Sequence, residues 1–200
     1  MDLCAVLALL NMLIKKSKGL RATGLAVVSC VQHQLYCLWG VRDLQKGEWW
    51  VQLIIDCMFR SNIKYSQCNM DYIFSLSVIS VGIHYLTISY DLGCQWFTNF
   101  WKWVQLLPTA ISFLMPMLAV HALVPKFHLQ SHEEKCHTPF SYNYQKGAGR
   151  TEGGGVERNW DWINPQAPST CEMTPGNQWD TLNDCFGWLN FQKSMGLGMF

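Results

Sequence analysis

A short apolar strand that ends in an acid and runs straight into a helix limits this chain more than any other feature. Residues 86–91 (LTISYD) are β-branched and aromatic, and Asp91 closes them. Residues 94–107 (CQWFTNFWKWVQLL) follow at once, with aromatics at 96, 97, 100, 101 and 103, the spacing of an amphipathic or buried helix. Strand, acid, helix is a unit of open α/β sheets, where ligands and metals bind beyond the carboxyl ends of the strands. Asp91 is therefore either a ligand there or the N-cap of the helix that follows.

The rest of the chain supplies partners for that unit. Residues 1–20 carry apolar positions through Leu13, then lysines and Gly19, and read as a short helix. The basic residues follow the apolar run instead of preceding it, which argues against a cleaved secretion signal. Residues 23–30 (TGLAVVSC) read as a buried strand. Residues 49–68 fit neither a helical nor an alternating period. Asn69 or Asp71 would cap a helix carrying Ile73, Leu76, Ile79 or Ser80, and Ile83. Residues 104–124 contain no charge and are long enough for a membrane span. Pro108 and Pro116 would each break such a helix, so a buried helix followed by a strand over 122–129 is expected.

Charge and cysteine content narrow the function classes. A net charge of +1 leaves no basic footprint over the whole chain. Nine cysteines at irregular spacing, without a CxxC pair, indicate reduced thiols and no disulfide framework. His128, His132 and Cys136 recur every four residues, and on a helix they would share one face as metal ligands. Cys30 and His33 form a CxxH pair that is either half a zinc site or a buried thiol beside a satisfied histidine. Glycines at 147, 149, 153, 154 and 155 make a loop without the ending of a phosphate-binding P-loop. After it, residues 156–164 (VERNWDWIN) start a helix that places Glu157 and Asp161 on one face and Trp160 toward the core. Glu157 paired in space with Asp91 would make a two-carboxylate site suited to Mg²⁺ or Mn²⁺.

Eight strings in order, DLQKGE, NMDYIF, SYDLGCQW, VPKFHLQSHEEKC, FSYNYQKGAGRT, VERNW, INPQAPSTCEMTPG and DTLNDCFGWLN, resemble the Kyakuja–Dileera–Zisupton (KDZ) transposases. The resemblance covers residues 18–191 and leaves 1–17 as a poorly defined N-terminal helix. It implies an α/β fold, a partial RNase H-like core of the Asp-Asp-Glu transposase kind, with its N-terminal strands missing and an irregular C-terminal part. It further implies metal-dependent DNA strand cleavage and transfer in intact relatives, with Mg²⁺ or Mn²⁺ as cofactor, DNA ends as partner, possible oligomers and a nuclear setting. Asp91 matches the second acid of the triad, and Glu157 the later of two glutamates in a family motif whose earlier one is Gly154 here. Lys126, Lys146, Arg150 and Arg158 are the DNA-contacting candidates. The family's first acid has no counterpart, and residues 49–68 interrupt the family pattern as translated non-coding sequence would. The expectation is an inactive fragment. Two alternatives are a non-enzymatic remnant that binds nucleic acid or a partner and is held together by zinc (His128, His132, Cys136, Cys30 and His33), and a membrane protein using 104–124.

Overall fold

Five strands form one mixed sheet in the order β3-β2-β1-β4-β5. The computed structural model describes residues 6–11, 24–44, 65–79, 85–105, 107–112, 119–148 and 151–197, with the backbone alone at 6–11, 44, 65–70, 110, 112 and 156. Strands β1 (Val6–Asn11), β2 (Gly24–Cys30) and β3 (Tyr36–Leu44) make an antiparallel meander. Strands β4 (Tyr85–Tyr90) and β5 (Ala119–Leu123) continue the sheet on the other side of β1, parallel to it and to each other.

Alternation along the strands divides the core between the two faces. Ala26 and Val28 of β2 join Leu86, Ile88 and Tyr90 of β4 on one face. There they meet Ile73, Phe74 and Val78 of α1 (Tyr65–Ile79) and Trp96, Phe100 and Val104 of α2 (Gly93–Val104). The spacing of four in Trp96, Phe100 and Val104 is what makes α2 lie along the sheet. Val27 points to the opposite face. It packs there with Val31, with Tyr36 of β3, with Trp160 and Ile163 of α6 (Gly155–Ile163), and with Leu182, Phe186 and Leu189 of α7 (Pro175–Leu197). Helices thus cover both faces, and β2 is buried almost throughout.

The same alternation places the polar side of β4. Thr87 and Ser89 are buried on the face away from the aromatic cluster, and Asp91 is the next residue in that row. The loop before α6 crosses this row closely. Gly153 has φ +83, and a Cβ there would lie 2.7 Å from Tyr142 Cε2 and 2.8 Å from Ser89 Oγ.

Several expectations are corrected. Val6–Asn11 is a central strand, not part of an N-terminal helix. Backbone pairing on both sides outweighs the helical preference of a Leu- and Ala-rich run. In the described sheet β1 therefore lies between β2 and β4. Helix α1 begins at Tyr65, so neither Asn69 nor Asp71 caps it. Asp71 is inside the core, accepting a 2.5 Å hydrogen bond from Trp96 Nε1. Residues 104–124 contain the end of α2, the single turn α3 (Thr109–Ser112) and β5. Among the described residues no helix is long and apolar enough to cross a membrane. Most of the irregular stretch 49–68 lies outside the described residues, and 65–68 belong to α1.

Candidate functional site

The acid at the end of β4 does not cap α2. Leu92 occupies the N-cap position without a side-chain cap bond, while the Asp91 carboxylate faces two histidines. His128 Nδ1 is 3.5 Å and His132 Nε2 is 3.6 Å from Asp91 Oδ1. The other nitrogen of His128, Nε2, is 3.0 Å from Glu157 Oε1. One imidazole therefore spans the two carboxylates that the sequence singled out.

The chain reaches this arrangement through a break after β5. Val124 bridges to Ser141 instead of extending the strand, and Pro125 stands at the head of the one-turn helix α4 (Lys126–Leu129). His128 is consequently in a helical turn and not at a strand end. Turn bonds from Ser131 N to His128 O (2.9 Å) and from His132 N to Leu129 O (3.1 Å) continue the winding, so both histidines meet Asp91. Glu157 is in the first turn of α6, where an acid also complements the helix dipole. Its Oε2 is buried and has no hydrogen-bond partner. Trp160 is buried, as its spacing from Glu157 predicts, and Asp161 is exposed and stands outside the site.

A second cluster adjoins the first. Cys94 in the first turn of α2, His132, and Cys136 of α5 (Glu134–His137) place their ligand atoms within 4.8 Å of one another. These three are the one Cys/His/acid group of metal-binding geometry among the described residues, and the group could hold a metal such as zinc. Cys94 Sγ is 3.1 Å from His132 Nδ1. Burial, and after it the Cys136 thiol alongside, pushes the Cys94 thiol up to about 11.

This grouping differs from the expected one. His128 is drawn to the carboxylates and leaves the thiols to His132 and Cys136. The added cysteine is Cys94, not Cys30. Cys30 is disulfide-bonded, an exception to the expectation of reduced thiols, and His33 Nδ1 lies 3.4 Å from its sulfur. Cys30 is buried, as one reading of the CxxH pair has it, but it is not a free thiol. Cys94 was legible only as the residue three after Asp91, and a strand-to-helix junction turns it back toward the histidines.

Three of the four DNA-contacting candidates are among the described residues. Lys126 is half-buried, with its backbone N–H donating to Glu152 O at 2.9 Å, and Lys146 is exposed. Arg158 is exposed but pairs with Glu152. Arg150 lies outside the described residues. Tyr142 is buried beside Gly153; burial raises its phenol to about 12, with Ser89 opposing the rise and Glu157 adding to it.

The sequence model of the Kyakuja-Dileera-Zisupton transposase family matches residues 7–190. Neither a curated protein nor a solved structure matches the chain.

Proposed function

Because the chain belongs to the Kyakuja-Dileera-Zisupton transposase family, we propose that it is a catalytic-core fragment of an Asp-Asp-Glu DNA transposase, inactive in strand cleavage. The observation that carries this reading is the meeting of Asp91 and Glu157 on one imidazole at the carboxyl end of β4. The strand order, with an antiparallel meander joined to two parallel strands, supports an RNase H-like core.

The missing third acid has a place in this sheet. β1 and β4 pair in parallel with Leu9 level with Tyr90. Leu10 is the next residue of β1 and Asp91 the next after β4, so position 10 is where this reading looks for a first-strand acid. On this reading the defect is one of residue identity, with the strand itself in place.

The acids that are present suit a hard divalent cation. The unpartnered Glu157 Oε2 is a buried oxygen in need of a partner. Asp91 Oδ1 and Glu157 Oε1 are already oriented by His128. Mg²⁺ or Mn²⁺ held there would activate an attacking oxygen and stabilise a leaving one in phosphodiester chemistry. His128 fixes both carboxylates. Lys126, Lys146, Arg150 and Arg158 are the proposed backbone contacts to DNA, the partner expected of intact relatives, in a nuclear setting. With Leu10 in place of an acid, one of three metal-holding carboxylates is lost, and most activity with it. The test is nicking of supercoiled DNA with Mg²⁺ or Mn²⁺. No nicking is expected; robust nicking that Asp91→Asn abolishes would overturn the inactive reading.

The Cys94, His132 and Cys136 group favours a second reading, a non-enzymatic remnant stabilised by zinc. One zinc per chain with no DNA cleavage is its signature.

A further inference from the structure

We infer that Cys94 Sγ, His132 Nδ1 and Cys136 Sγ hold a zinc ion with water in the fourth position, and that His132 Nε2–H ties this ion to Asp91. The inference rests on the zinc reading for the identity of the ion and adds the ligand set and the link to the acid.

Three observations carry it. The first is chemical: two thiols and an imidazole nitrogen lie within 4.8 Å of one another, and soft thiolates with imidazole select zinc over hard cations. The second concerns what holds the segment carrying the ligands. Helix α4 has no buried residue, and Cys136 is the one buried residue of α5. Residues 126–137 thus have little apolar area of their own with which to dock, and Cys136 is where they enter the interior. A metal joining Cys136 and His132 to the first turn of α2 supplies the missing anchor, as structural zinc does in small, poorly cored units.

The third observation is the second nitrogen of His132. Its Nδ1 faces Cys94 Sγ at 3.1 Å and its Nε2 faces Asp91 Oδ1 at 3.6 Å. A metal-bound histidine whose other N–H meets a carboxylate is the usual outer-shell arrangement, fixing the tautomer and the ring plane. His137 steadies the same residue from behind, with Nε2 3.0 Å from His132 O. Asp91 is thereby a ligand candidate for a divalent cation on one side and an outer partner of zinc on the other. The zinc cluster and the carboxylate pair are then one assembly.

Cobalt(II) titration of the full, reduced, metal-stripped chain tests the assignment. One Co²⁺ per chain with sulfur-to-cobalt charge-transfer absorption is expected, displaced by one equivalent of Zn²⁺. Cys94→Ser and Cys136→Ser should each remove about half of that absorption, while His33→Ala and His128→Ala leave it whole. Asp91→Ala should keep the spectrum and weaken cobalt binding by about tenfold or more. No charge-transfer band in the intact chain would overturn both the site and the zinc reading. A bound zinc with a full band in Cys94→Ser overturns this ligand set alone, and unchanged affinity in Asp91→Ala overturns the link. Should a cysteine variant fail to fold, alkylation of the intact chain decides. Zinc should slow modification of Cys94 and Cys136 at least tenfold and leave the exposed Cys171 unaffected; equal rates at Cys94 and Cys136 with and without zinc refute the site.

Discussion

Replacing Asp71 with asparagine should abolish a pH dependence of stability that this one carboxyl imposes. Asp71 is 1% exposed among the aromatic side chains of α1 and α2. Burial raises its pKa from 3.8 to about 7, against the opposing effect of the hydrogen bond from Trp96 Nε1. A folded-state pKa above the unfolded value means that the native chain binds the proton more tightly. The stabilisation is complete below about pH 4 and is lost as pH rises through 7. Three pKa units correspond to about 4 kcal/mol, of which roughly 2–3 kcal/mol falls between pH 5 and 8. Urea unfolding of the wild type and of Asp71→Asn at both pH values measures it. The wild type should lose that amount relative to the variant, whose amide still accepts from Trp96 and does not titrate. Parallel pH profiles for the two proteins would refute the reasoning. Trp96→Phe, which removes the bond to the ionised form, should steepen the loss.

Other substitutions probe the loop and the acids. Gly153→Ala should destabilise by about 2–4 kcal/mol in thermal or urea unfolding, because a positive φ and two contacts under 3 Å act together. Gly147→Ala, with φ +87 but open space around the position, should cost only about 1 kcal/mol. Leu10→Asp combined with Gly154→Glu should raise Mn²⁺ affinity measured by calorimetry, with Asp91→Asn cancelling the gain. Position 154 has room, since a Cβ there comes no nearer than 3.5 Å to Glu157 Oε2.

What the sequence reveals of this protein is governed by how local each signal is. Strand β4 and helix α2 are legible because β-branched residues and a spacing of four in the aromatics speak for themselves. Trp160 in the core and Glu157 at a helix start follow from the same periodicity. Strand β1 was not legible: its Leu- and Ala-rich sequence is a helix former, and only the partners on either side make it a strand. The sequence puts His128 at a strand end because the pairing that stops β5, Val124 with Ser141, is made seventeen residues downstream. Spacings of three and four point to only two members of the Cys/His group, His132 and Cys136. Its third member, Cys94, lies 38 residues before His132 and is found only in space.

The spacing of four between His128, His132 and Cys136 nevertheless had a consequence, though not the one a continuous helix would give. The winding persists from α4 through His132, so two successive histidines reach the same carboxylate. It restarts at Glu133, where extended backbone turns Cys136 away from that line and into the thiol pair with Cys94. The break therefore sorts one row of candidate ligands into two clusters that both reach Asp91, through His128 and through His132. Asp91 is then held from the side of Glu157 through His128 and from the side of the thiols through His132. An acid so braced does not depend on a neighbour on β1 for its position. Under the proposed function, the two carboxylates are thus held together through the histidines without a third acid on β1.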